Sequence, residues 1–285
     1  MKVEILKPSG YCSGVNRALA FLDETIKKYP NKNIYILGDL IHNEDSLKEI
    51  EEKGIKIIKS DKYEAIEHLK KEDVVIFTAH GHDEKLDDLC KQKDIIYVDA
   101  TCPIISKIRA EIIAALKKQK QVVFMGVKGH EETEGILSIS KDILFYNIDL
   151  PFNYYLITDK APLIISQSTL NYDDVYQRFL DFKGRVPGAI TANEVCPTSR
   201  LRQNAIKEVD AQTDLIIIVG SKRSSNSTRL YEIATSLYQN KTVLFVSNVN
   251  ELKKYDLTPF KKASLISGAS TDIKKVNEIA NYLSK

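Results

Sequence analysis

The chain lacks most of the signals that would place it in a common functional class. Its 285 residues carry 41 basic and 39 acidic side chains, a formal charge of +2. So close a balance gives no electrostatic footprint for a nucleic acid or an anionic membrane. No apolar run approaches the roughly 18 residues needed to span a bilayer. The opening "MKVEILKPSGYC" brings an acid, Pro8 and Gly10 too early for a secretory leader, and the expected location is cytoplasmic. Cysteines stand only at 12, 90, 102 and 196, with no Cys-x-x-Cys pair of the short-loop zinc type. Dispersed thiols in a cytosolic chain are reduced groups, metal ligands or catalytic groups rather than disulfides. Neither G-x-G-x-x-G nor the nucleotide P-loop pattern occurs.

What the chain does have is regular alternation. Nine short apolar runs, among them "NIYIL", "DVVIF", "QVVFM" and "DLIIIV", are separated by helical patterns. In "SGVNRALAFLDETIKKY", for example, Val15, Leu19, Leu22 and Ile26 share one face. Near-continuous apolar strands alternating with helices predict an α/β fold with mainly parallel sheets covered by helices. Cys12, Cys102 and Cys196 recur at similar intervals, and each opens a helical pattern. Pro103 and Pro197 suit the first helical position, where no amide donor is missed. The expectation is three similar α/β modules, at residues 1–98, 99–191 and 192–285, each presenting a thiol at a helix start.

Amides and the helix dipole bias such a thiol toward thiolate. Three of them converging would hold a soft metal centre, and an iron–sulfur cluster suits single cysteines from distant modules better than zinc does. With three ligands instead of the usual four, one iron would be open to substrate. The plain alternative is three buried thiols, and spacing alone leaves both readings standing. Cys90 shares a helical face with Leu86 and Leu89 and reads as a small buried apolar residue.

Polar segments follow the strands, where α/β proteins bind ligands. They include "LIHNED" with His42, "FTAHGHD" with His80 and His82, "VKGHEETEG" with His130, and "SQSTL" with Ser168. "SKRSSNSTRL" runs from a strand into a helix, and its hydroxyls, amides and helix start would bind a phosphate group. An ordinary serine N-cap would use one of those hydroxyls, not the run.

Taken in order, "GYCSGVNRA", "LIHN", "TAHG", "DATCP", "GHEETEG", "QSTL", "GSKRSSNSTRL" and "SGAS" resemble the LytB/IspH family of 4-hydroxy-3-methylbut-2-enyl diphosphate reductases, from Cys12 to about Ser270. The resemblance implies three α/β modules in a pseudo-threefold arrangement around a central [4Fe-4S] cluster. Cys12, Cys102 and Cys196 would hold it, leaving one iron open. The implied reaction is reductive dehydroxylation to isopentenyl and dimethylallyl diphosphate, the last step of the methylerythritol phosphate pathway. Ferredoxin or flavodoxin would donate electrons, with no nucleic acid or membrane as partner. By the same resemblance His42, His80 and His130, with Ser224, Ser225, Asn226 and Ser270, hold the diphosphate. Glu132 relays the proton, and Ser168 sits by the substrate alcohol. Three positions depart from the family pattern. Glu131 stands where proline is common, Ser168 where threonine is usual, and "SGASTD" lacks a following Pro-Asp. Glu131 is expected to be solvated, and Glu134 to support the helix start.

Overall fold

The computed structural model describes residues 1–192 and 195–285. After β1 (Lys2–Ile5) come α1 (Ser13–Lys28), β2 (Ile34–Leu37), α2 (Glu44–Glu52), β3 (Lys56–Ile58), α3 (Lys62–His68), β4 (Val74–Phe77), α4 (Lys85–Gln92) and β5 (Ile96–Asp99). The middle third holds α5 (Pro103–Lys117), β6 (Val122–Gly126), α6 (Glu131–Leu137), β7 (Ile143–Asn147), β8 (Leu163–Ser166), α7 (Tyr172–Arg185) and β9 (Ile190–Ala192). The last third holds α8 (Pro197–Lys207), β10 (Leu215–Val219), α9 (Ser225–Leu237), β11 (Thr242–Val246), α10 (Val249–Leu252), β12 (Lys262–Ser267) and α11 (Ile273–Ser284). Among the described residues, no helix is long and apolar enough to cross a membrane.

The strands form three four-stranded sheets, ordered β3-β2-β4-β5, β7-β6-β8-β9 and β11-β10-β12-β1, with parallel neighbours throughout. The modules therefore share one topology, as an α/β fold of three similar units requires. In the third sheet the fourth place belongs to β1, with Lys2 registered on Lys262 and Ile5 on Leu265. This corrects the contiguous division at residues 98 and 191, because the first strand completes the last sheet. The cause is apolar: Val3 and Ile5 pack into the core of Leu265, Val276 and Ile279, a long-range contact that local periodicity does not reveal.

That exchange explains the cysteine spacing. In each case a fourth strand precedes a cysteine, and the next helix packs on the neighbouring sheet. Cys12 follows β1, and α1 sets Ala18 and Leu22 against Ile36 and Val74. Cys102 follows β5, and α5 sets Ile108 and Ile112 against Val122 and Phe124. Cys196 follows β9, and α8 sets Ile206 against Ile216 and Ile218. Each cysteine thus lies at a junction between modules.

Strands β4, β6, β8 and β10 are buried at every residue. Each large apolar side chain there contributes about 1.5–3 kcal/mol, and together they fix the strand ends that carry the site. The strands that the apolar runs do not announce, β3, β7 and β9, are all sheet edges, and each is only partly covered.

Candidate active site

Loops from the three modules meet at a central cavity of about 760 Å3, its mouth included. All twelve site residues expected from the sequence line it: Cys12, Cys102 and Cys196; His42, His80 and His130; Glu132 and Ser168; Ser224, Ser225, Asn226 and Ser270.

At one end each cysteine is the N-cap of its helix. The Val15 amide donates to Cys12 Sγ at 3.4 Å, while Pro103 and Pro197 occupy the first turns of α5 and α8. All three thiols are free and half-buried. A Cβ on Gly14 would stand 2.8 Å from Cys102 Sγ and 3.7 Å from Cys12 Sγ. The glycine of "CSG" therefore lets sulfurs from different modules approach one another. Burial pushes the Cys102 thiol up, against the amides of Ile104 and Ile105, and the neighbouring Cys12 and Cys196 push it further. Burial thus overrides the thiolate bias expected at its helix start. Three soft donors brought together in a half-buried place fit a group carrying positive charge.

The buried Arg202 guanidinium links the backbone around two of these cysteines. It donates from Nη2 to the Gly10 carbonyl at 2.6 Å, from Nε to Ser267 at 3.1 Å and from Nη1 to Thr198 at 3.3 Å. Sequence reasoning missed it, because an arginine on an amphipathic helix reads as a solvated one.

Glu132 lies midway. Its side chain is 1% exposed, and its two oxygens accept the Ser168 amide and the Ser168 hydroxyl, each at 2.7 Å. Burial pushes its carboxyl up to about 7, against those two bonds. Ser168 in turn accepts the Cys196 amide on its carbonyl at 2.9 Å, which ties the acid to the cysteine end. Gln167 sets this loop by accepting the Val127 amide and donating to Thr169, both at 2.9 Å. Thr169 then meets Ser225 of the third module at 2.9 Å.

The other end is polar. His130 caps α6 and accepts the Glu132 amide on Nδ1 at 3.2 Å, so the neutral ring carries its proton on Nε2. Burial, with His80 and His42 nearby, lowers its pKa to about 3 and keeps it neutral. The His42 and His80 rings stack at 4.2 Å. Asp39 lies 3.8 Å from His42 Nδ1 and also pairs with Lys59 and Arg223. Burial would raise its carboxyl, but these partners hold it below its usual range.

Serines complete this wall. Ser224 caps α9 and accepts the Ser227 amide at 3.3 Å, and Ser270 donates to Ser224 at 3.2 Å. Asn226 donates to Ser199 at 3.0 Å and accepts the Ala269 amide at 2.9 Å.

Glu131 is half-buried rather than fully solvated. Its Oε2 lies 3.2 Å from Nδ1 of His80, which lines the cavity. Burial works against its charge, but His80, His42 and Lys62 hold its carboxyl down at about 2. His42, His80 and Glu131 bring donor atoms within 4.8 Å of one another. The rings lie only 25° from parallel, however, so a single ion does not fall in both ring planes and the trio is no ready chelate. Outside the cavity, Cys90 is buried and raised to about 11 by desolvation. His68 is exposed, and His82 stacks on Phe77 and pairs with Asp87 at 2.8 Å.

The family model described as LytB protein matches residues 3–284. A 4-hydroxy-3-methylbut-2-enyl diphosphate reductase of Wolbachia pipientis subsp. Culex pipiens is 31% identical, over 99% of this chain and 92% of its own. One of the same name from Neorickettsia sennetsu is 29% identical over 100% of this chain and 92% of its own. Among solved structures, the E-1-hydroxy-2-methyl-but-2-enyl-4-diphosphate reductase of Plasmodium falciparum superposes with a TM-score of 0.88 at 25% identity. That match covers 100% of this chain and 88% of that one.

Proposed function

The chain belongs to the LytB protein family, and from that premise we propose that it reductively dehydroxylates 4-hydroxy-3-methylbut-2-enyl diphosphate. The products are isopentenyl and dimethylallyl diphosphate, as the last step of the methylerythritol phosphate route in the cytoplasm. One observation carries the reading: three N-cap thiols and a histidine–serine–asparagine wall share a cavity, with a buried acid between them.

In this reading Cys12, Cys102 and Cys196 would hold a [4Fe-4S] cluster by three ligands, leaving one iron without a protein ligand. When bound, that group supplies electrons, received singly from ferredoxin or flavodoxin, and a Lewis-acidic position for the substrate hydroxyl. Arg202 offsets negative charge beneath the cysteines. His130 Nε2–H, the hydroxyls of Ser224, Ser225 and Ser270, the Asn226 amide and the start of α9 take the diphosphate. Anchored there, the allylic alcohol extends toward the cysteine end. Glu132, partly protonated near neutral pH, passes its proton through the Ser168 hydroxyl to the departing oxygen, which leaves as water. Two electrons and a second proton, delivered to carbon by way of the bound diphosphate, complete the balance. Anaerobic turnover with a reduced donor, products resolved by mass spectrometry and NMR, tests this. The two C5 diphosphates are expected; cluster-loaded protein that leaves the substrate untouched would contradict the assignment.

A further inference from the structure

A carboxylate beside an anion pocket demands an explanation. Glu131 is the first residue of α6, with Oε1 turned toward Gly38 and Oε2 3.2 Å from His80 Nδ1. That Oε2 is buried and makes no aligned hydrogen bond, so its accepting capacity is unused, which is costly in a buried place. Thr78 Oγ1 also approaches His80 Nδ1, at 3.4 Å. Both neighbours lie on the Nδ1 side, which leaves Nε2 for a ligand in the cavity. A neutral His80 satisfies only one side. With its proton on Nδ1 it presents a bare lone pair to the ligand, and with its proton on Nε2 it turns a lone pair on Glu131. Only the imidazolium donates both ways.

Building on the reading of this cavity as a diphosphate site, we propose that Glu131 is a positioning residue that makes His80 a doubly protonated donor, so that the pocket takes up a proton from solvent as it takes the diphosphate.

The surroundings of His80 fit this timing. Burial comes first in keeping the free ring neutral, followed by His42 stacked on it at 4.2 Å and by Lys62 at the start of α3. His130 stands edge-on at 6.3 Å and is itself neutral. Asp39 faces His42 and is engaged by Lys59 and Arg223. Glu131 is the acid that favours the charged ring. Incoming diphosphate adds the missing negative charge on the Nε2 side, and Glu131 then accepts a charge-assisted bond on the Nδ1 side.

A bare-charge account forecasts the opposite, namely that Glu131 repels diphosphate and its removal tightens binding. Anaerobic calorimetry of the cluster-loaded protein with inorganic pyrophosphate, in buffers of different ionisation enthalpy, counts the protons exchanged. At about pH 8 the parent is expected to take up about one more proton per pyrophosphate than Glu131→Gln. The variant is expected to bind about tenfold more weakly there, with the gap closing toward lower pH. Comparing the two cancels protons carried by the probe. Glu131→Asp, which keeps the charge, is expected to retain the uptake, and thermal unfolding checks that both variants are folded. Equal proton counts, or tighter binding by Glu131→Gln, would overturn the proposal while leaving the diphosphate site intact. Pyrophosphate that does not bind the parent would remove the site itself, and the proposal with it.

Discussion

Glu131 and Glu132 are neighbours at one helix start, yet the two ends of the cavity treat them oppositely. Glu131 turns to the histidine end, where His80, His42 and Lys62 hold its carboxyl down at about 2 in spite of burial. Glu132 turns to the cysteine end, where burial pushes it up to about 7 against its two bonds from Ser168. The histidine end therefore keeps its carboxylate ionised. The cysteine end keeps a proton that can be given away, as a reductive dehydroxylation requires. A single step along α6 separates an ionised carboxyl from one that holds its proton to about pH 7, because facing groups and desolvation decide the state of a carboxyl, not its chemical type.

The comparison breaks most severely if the cysteine end is removed. Cys102→Ser is expected to lose iron and sulfide on reconstitution and to abolish turnover, while circular dichroism stays that of the parent. Full iron content in that variant would show that Cys102 is not a ligand. Next in size is Glu132→Gln, which keeps the side-chain volume and can still bond Ser168 but carries no transferable proton. Its kcat is expected to fall by about 10²–10⁴, while pyrophosphate affinity, a property of the other end, is unchanged. Parent-like turnover would move the acid role elsewhere.

The smallest effect is on stability, and its sign follows from the raised pKa. Between about 4.5 and about 7 the folded state keeps a proton on Glu132 that the unfolded chain has released. Its contribution to stability therefore falls as pH rises through that window and stays low above it. Relative to the parent, Glu132→Gln is expected to gain on the order of 1–3 kcal/mol in going from about pH 4 to about pH 8. Paired thermal melts at the two pH values measure this. A pH-independent difference would mean that Glu132 titrates like a solvated acid.

Much of this was legible in the chain. The apolar runs of β4, β6 and β10 are buried on both faces and stand out without any tertiary knowledge. The helix openings at Cys102 and Cys196 are marked by proline, and the segments carrying the twelve cavity residues are polar breaks after strands. Other features depend on contacts that no local pattern encodes. The short edges Lys56–Ile58 and Ile190–Ala192 are half-covered and have little apolar contrast. Ile143–Asn147 follows so closely on Ile136, Leu137 and Ile139 that periodicity does not separate it. The placement of β1 in the third sheet rests on pairing with Lys262–Ser267 at the opposite end of the chain. Glu131 and Arg202 look like ordinary helix-surface charges until the fold sets one against His80 and buries the other near Cys12 and Cys196.

As proposed, both ends of the cavity act on one substrate, diphosphate at the histidines and hydroxyl at the cysteines. Mössbauer spectroscopy of protein reconstituted anaerobically with labelled iron, with and without the allylic diphosphate, tests it most directly. The signal of a single iron site is expected to change when substrate binds. A spectrum indifferent to substrate, or zinc bound in place of iron, would contradict it.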